Sequence, residues 1–94
     1  MTYKLAFREE SLKEWRKLGA NIRDQFKNKL AERLEHPRVE SSRLSGAKDR
    51  YKIKLRQSGY RLVYEVQDNI VTVVVVAVGK RERNFVYKQA AKRV

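Results

Sequence analysis

The sequence predicts an α+β fold with element order β-α-α-β-β-β-α: a mainly antiparallel four-stranded sheet with an N-terminal helical hairpin packed on it. Three observations carry this expectation. Ile22, Phe26, Leu30 and Leu34 recur at four-residue spacing, the apolar stripe of an amphipathic helix. Residues 51–66 alternate in character about a central turn, as two antiparallel half-buried strands do. Ile70 to Val78 is almost continuously β-branched, which suits a central strand buried on both faces.

The elements follow in order. Tyr3 to Phe7 alternates and reads as a first strand. Ser11 or an acidic neighbour starts a helix that sets Leu12, Trp15 and Leu18 on one side, and Gly19 ends it. Asn21 can cap a second helix, which His36-Pro37 closes because the residue before proline avoids the helical region. Residues 38–49 form a polar loop with Gly46 near its end. Two strands follow, joined through Gln57-Ser58-Gly59 by a two-residue turn. Asp68-Asn69 makes the next turn. Gly79-Lys-Arg-Glu-Arg83 leaves the sheet, and Val86 to Val94 suggests a short terminal helix, although Asn84 to Tyr87 suits an extended segment equally well. With no repeats, low-complexity tract or linker, residues 1–94 are expected to form a single domain.

Side-chain alternation then sorts the two paired strands into faces. Lys52, Lys54 and Arg56 share one face, while Tyr51, Ile53 and Leu55 share the other. A two-residue turn adds Arg61, Val63 and Glu65 to the lysine side, and Tyr60, Leu62, Tyr64 and Val66 to the apolar side. The expected sheet is apolar on one side and cationic on the other. Solvated lysines are common, but like charges crowded on one face repel. A bound phosphate chain would favour them, with Arg as a bidentate fork and Lys as a point charge.

Bulk composition agrees. The formal net charge is +12, which points to anionic partners without choosing among them. Residues 48–94 hold 12 of the 23 Lys and Arg but only 4 of the 11 Asp and Glu, so the second half carries most of the surplus. There is no cysteine, which excludes a disulfide scaffold and a thiolate metal site and fits a reducing compartment. The start of the chain lacks the apolar core of a signal peptide, and the run Val73 to Val78 is too short to span a bilayer. The chain therefore reads as cytoplasmic.

Candidate chemistry gathers in the same half. The basic segment 79–83 leaves a buried strand, a position where loops collect functional groups because the sheet holds them. Tyr87 follows it and could stack on an unpaired base or pack structurally; the strand tyrosines default to core. The single histidine, His36, sits at a helix end far from the basic cluster. Asp49, Glu65, Asp68 and Glu82 are scattered, so no metal site or cofactor is expected, and there is no phosphate-binding glycine loop. RNA cleavage here would rest on cationic and phenolic groups. Such a set stabilises a phosphorane well but has weak acid–base chemistry of its own. Poor activity on isolated RNA follows, unless a larger machine positions the substrate.

Four segments carry a family resemblance: Leu12 to Leu18, Tyr51 to Arg56, Ser58 to Tyr64 and Val78 to Arg83. Together they resemble the RelE-type toxins of the RelE/ParE superfamily, nearly end to end. The Tyr-Arg-Leu-Val-Tyr strand marks the superfamily; the paired strand lysines with Gly-Lys-Arg-Glu-Arg and a following Tyr are more specific. The resemblance implies a microbial RNase-like fold and a ribosome-dependent, metal-independent messenger RNA endoribonuclease, the toxin of a type II toxin–antitoxin pair. In that family the messenger 2′-hydroxyl attacks its adjacent phosphate in the ribosomal A site. The implied catalytic set is Lys52, Lys54, Arg61, Arg81 and Tyr87, all intact, with Lys52, Lys54, Arg56, Lys80 and Arg83 as RNA-binding cations. The lysines and Arg61 would stabilise the phosphate, Arg81 would assist the leaving oxygen, and Tyr87 would orient the codon. The implied partners are a RelB-like antitoxin, the 70S ribosome with its messenger, and operator DNA bound only by the toxin–antitoxin complex; no membrane is implied. A ParE-like gyrase poison and a non-catalytic RNA- or ribosome-binding module are the alternatives.

Overall fold

Apolar periodicity resolves into two layers of helix around one sheet. The computed structural model describes residues 2–80 and 85–93. Strand β1 (Lys4–Phe7) leads into helices α1 (Glu9–Arg16) and α2 (Ala20–Glu35). Strands β2 (Arg50–Leu55), β3 (Tyr60–Gln67) and β4 (Thr72–Lys80) follow, and helix α3 (Phe85–Lys92) closes the order. The sheet order is β1-β4-β3-β2. β2–β3 and β3–β4 are antiparallel, but β1 lies parallel to β4, with Lys4 opposite Thr72. The sheet is thus mixed: the helical hairpin carries the chain back to the end of the sheet where β1 began, and the meander brings β4 alongside in the same direction.

The helical hairpin covers one face. Trp15, Leu18, Phe26 and Leu30 pack with Tyr51, Ile53, Leu55, Leu62, Tyr64, Val66, Val73, Val75 and Val78 in the main core. The expected alternation holds, since Ile53 is buried while Lys52 is half-buried and Lys54 exposed. Phe7, Trp15 and Phe26 form a chain of tilted ring contacts at 5.2 and 6.2 Å between centroids.

Helix α3 covers part of the other face. Val63, Val76, Ala77, Val86 and Ala90 form a second core there, with Leu44 and Tyr87 against it. A β-bulge makes this possible. The β3–β4 register passes from Val63↔Ala77 to Tyr64↔Val75, and Val76 is the extra residue. Adjacent residues Val76 and Ala77 both serve the α3 side as a result. The supposedly cationic face is therefore half apolar.

Several boundaries move for local reasons. Helix α1 already starts at Glu9 and ends at Arg16, so Gly19 is the residue that precedes α2, and Asn21 lies inside that helix with no capping role. Ser11 is fully buried in α1; its hydroxyl donates to Val75 O at 2.6 Å and fastens the helix to β4. The β2–β3 connection has four residues, Arg56 to Gly59, rather than two. The parity argument survives because the paired numbers still sum to an odd value. Gly59 takes φ +77°, a left-handed conformation. The loop after α2 contains a 3-10 turn at Glu40–Ser42 and an isolated bridge from Arg43 to Tyr51. A second 3-10 turn spans Asp68–Ile70, and β4 starts only at Thr72. Gly79 and Lys80 belong to β4 instead of leaving the sheet. Phe85 to Tyr87 is helical rather than extended.

Candidate functional site

The register of the meander assembles the basic groups. Lys54 pairs with Arg61 across β2–β3, Lys52 pairs with Val63, and Arg61 is opposite Gly79 on β4. Gly79 presents no side chain toward α3. A Cβ added there would stand 3.4 Å from Val86 Cγ2, so the helix settles close to the strand. That approach brings Tyr87 onto the cationic strands.

Three side chains meet as a result. Arg61 Nη1 donates to Tyr87 Oη at 3.0 Å, and the Arg61 guanidinium carbon lies 5.3 Å from the ring centroid. Lys52 Nζ lies 5.9 Å from the same centroid. Each cation–π contact of this kind is worth about 0.5–1 kcal/mol at a partly exposed site. Tyr87 is half-buried and also leans on the α3 core, so packing and a role beside the cations coexist in one residue. The ring thus offsets part of the repulsion between Lys52 and Arg61.

The remaining candidates are spread along the same region. Lys54 is exposed beside Arg61. Arg56 sits in the β2–β3 turn, not in the strand, and is exposed. Lys80 ends β4 opposite Tyr60 and is exposed. Arg81 and Arg83 lie outside the described residues. A groove of about 720 Å³ runs from Lys52 and Tyr87 toward the loop at residues 44–48. His36 is exposed at the end of α2. Among the described residues, no group of three or more His, Cys, Asp or Glu could hold a metal ion. No described helix is long and apolar enough to cross a membrane.

One residue of the basic strand behaves differently. Arg50 has the same parity as Lys52 and Lys54, yet it is buried. Its Nε donates to Glu65 Oε2 at 2.8 Å, and its two Nη groups donate to the carbonyls of Ala90 and Arg93 at the end of α3. Burial pushes the Glu65 carboxyl up, but hydrogen bonds from Arg50 and Gln67 outweigh it and hold the group below its usual range. Sequence reasoning treated Glu65 as one of several scattered acids and did not single out Arg50. The signal was available: the register that pairs Lys54 with Arg61 also pairs Arg50 with Glu65.

Chemically the face offers an Arg fork, flanking ammonium groups and an aromatic plate. That set can grip a phosphodiester and hold an adjacent base, with stacking worth about 1–3 kcal/mol per base. Known proteins resemble this chain along its length. The family profile of the ParE toxin of type II toxin–antitoxin system, parDE, matches residues 5–85. The chain is 60% identical over 94 residues to the mRNA interferase toxin RelE of Escherichia coli strain K12, covering 100% of this chain and 99% of that protein. The solved structure of E. coli toxin RelE carrying R81A/R83A in the free state superposes with a TM-score of 0.92 at 57% identity, covering 100% and 99% of the two chains. The toxin in the intact E. coli RelBE toxin–antitoxin complex gives 0.83 at 60% identity, covering 86% of this chain and 99% of that one. Profile, identity along the full length and backbone agreement together place this chain in the RelE/ParE family of type II toxin–antitoxin toxins, as a RelE-type member.

Proposed function

We propose that this protein is the toxin of a type II toxin–antitoxin system and acts as a ribosome-dependent endoribonuclease on messenger RNA in the ribosomal A site. The observation that carries the reading is the convergence of Arg61, Lys52 and Tyr87 on one sheet face, in a chain 60% identical throughout to an mRNA interferase. The messenger 2′-oxygen bonds to its adjacent phosphorus, the bond from phosphorus to the 5′-oxygen breaks, and a cyclic phosphate remains. The 2′-hydroxyl gives up its proton and the 5′-oxygen gains one. Arg61, Lys52 and Lys54 offset the charge that builds on the equatorial oxygens. Arg81 assists the leaving oxygen, while Arg56, Lys80 and Arg83 supply backbone contacts. Tyr87 stacks on the codon. With so little acid–base chemistry in the set, the ribosome supplies the substrate geometry.

A RelB-like antitoxin neutralises the toxin, as the RelB partner of the E. coli complex suggests, and the pair binds its own operator. The site of action is the cytoplasm, where ribosomes are. The deciding experiment compares cleavage of a programmed ribosome's A-site codon by wild type, Arg61→Ala and Arg81→Ala in single turnover. Cleavage by wild type with slow cleavage by both variants supports the reading; full-speed cleavage by either removes that residue from the catalytic set. The ParE label of the family profile favours one other activity, inhibition of DNA gyrase, although that match ends before Tyr87. Supercoiling inhibition by a chain that leaves A-site messenger intact would establish it.

A further inference from the structure

We infer that Arg50 is a positioning residue: it caps the end of α3 and thereby holds Tyr87 against Arg61 and Lys52. The inference rests on the proposed endoribonuclease reading for its catalytic consequence, but not for its structural content. Arg50 lies on the same strand face as Lys52 and Lys54, four residues before Lys54. Its charge is turned away from solvent and spent inside the protein, its side chain only 10% exposed. Nε is fixed by Glu65, directly across in β3, and Glu65 is steadied in turn by Gln67 Nε2 at 2.9 Å. The two remaining Nη groups take the Ala90 and Arg93 carbonyls.

Those carbonyls lie in the last turn of α3 and just beyond it, where the helix dipole favours a cation; the Ala90 oxygen also accepts the Arg93 amide at 3.1 Å. A planar fork can satisfy two of them together; an ammonium cannot reach both with fixed geometry. Ala90 is three residues after Tyr87, less than one helical turn. Movement of the Ala90 carbonyl is therefore transmitted to the ring. A second fastening acts at the same end. Arg93 Nη1 donates to Glu14 Oε1 on α1 at 2.7 Å and to Val76 O at 2.9 Å. Glu14 also accepts from the Val78 amide at 3.3 Å. The α3 core itself is small, so these polar fastenings decide where an eight-residue helix rests.

The test has two arms. In protein labelled with 13C-tyrosine, Arg50→Ala and Glu65→Gln should shift the Tyr87 ring signals while those of Tyr60, at the far end of β3, stay in place. In single-turnover cleavage on programmed ribosomes, Arg50→Ala should lower the saturating rate about 10–100-fold, the scale of a misplaced group. The toxin concentration for half-saturation should change less than about twofold. Arg50→Lys should recover only part of the rate. The double variant Arg50→Ala/Tyr87→Ala should cut no more slowly than Tyr87→Ala alone. If Arg50→Ala does not fold, Arg50→Lys and Glu65→Gln carry both arms. Unmoved Tyr87 signals would overturn the inference, as would an Arg50 effect undiminished in the Tyr87→Ala background. If wild type cuts nothing, the endoribonuclease reading fails, and the ring signals still decide the positioning role.

Discussion

Arg61 and Arg50 show how one residue type on one strand pair does opposite work. Arg61 stays at the surface with its guanidinium beside a ring. Replacing it with Ala should slow the chemical step by about 10²–10³, the usual loss for one preorganised donor. Lys13, exposed on α1, should on replacement change only affinity and its salt dependence. A comparison of single-turnover rates at saturating toxin checks both. Tyr64 gives a separate test. Burial raises its phenol above the ordinary range, and the hydrogen bond from Arg33 only partly opposes this. A raised folded-state value means the contribution is complete below about pH 10 and is lost as pH climbs toward the folded value. Tyr64→Phe loses the bond to Pro37 O and should cost about 0.5–1.5 kcal/mol at neutral pH. That difference from wild type should shrink in urea denaturation above pH 10. The basic residues themselves were legible in the sequence, because alternation assigns faces along each strand and an even-numbered turn, whether of two residues or four, keeps the same assignment. Arg50 was not, because parity gives the face on which a side chain emerges and not what later covers that face.

Among the elements, α3 is the one whose position the sequence left open. Eight residues with two small alanines give a weak pattern, and the bulge that turns both Val76 and Ala77 toward it has no signature in a run of valines. By contrast, the stripe from Ile22 to Leu34 and the alternation of β2 and β3 were visible because each repeats its period several times. Two substitutions probe the sheet. Gly59→Ala places a side chain at φ +77° and should cost about 1–2 kcal/mol in chemical denaturation, with little effect on cleavage. Gly79→Leu should do the reverse. It fills the space under Val86, lifts α3 at its start, and should reduce cleavage more than stability. Measuring the two properties on both variants separates the turn from the helix seat.

At the scale of the molecule, charge and incompleteness set the behaviour. A chain of +12 binds anionic surfaces readily, so ribosome association should weaken steeply between low and moderate salt, as titration in binding assays can show. Strong expression of the isolated gene should arrest growth, whereas co-expression with a RelB-like antitoxin should restore it. Normal growth in the first case would count against toxin function. The mixed sheet was only partly foreseen: a strand pattern specifies burial, while strand direction depends on the route of the whole chain.

The parallel pairing of β1 with β4 also orders events in time. Lys4 must wait for Thr72, and Ser11 for Val75, before either has its partner. Contacts so far apart in sequence are slow to close and cannot form during early synthesis. Helix α3, which supplies Tyr87, follows every strand of the sheet in the chain. Strand β1 is therefore held in an unfinished sheet until β4 has been translated. The face that Tyr87 completes can therefore assemble only after all four strands have been made.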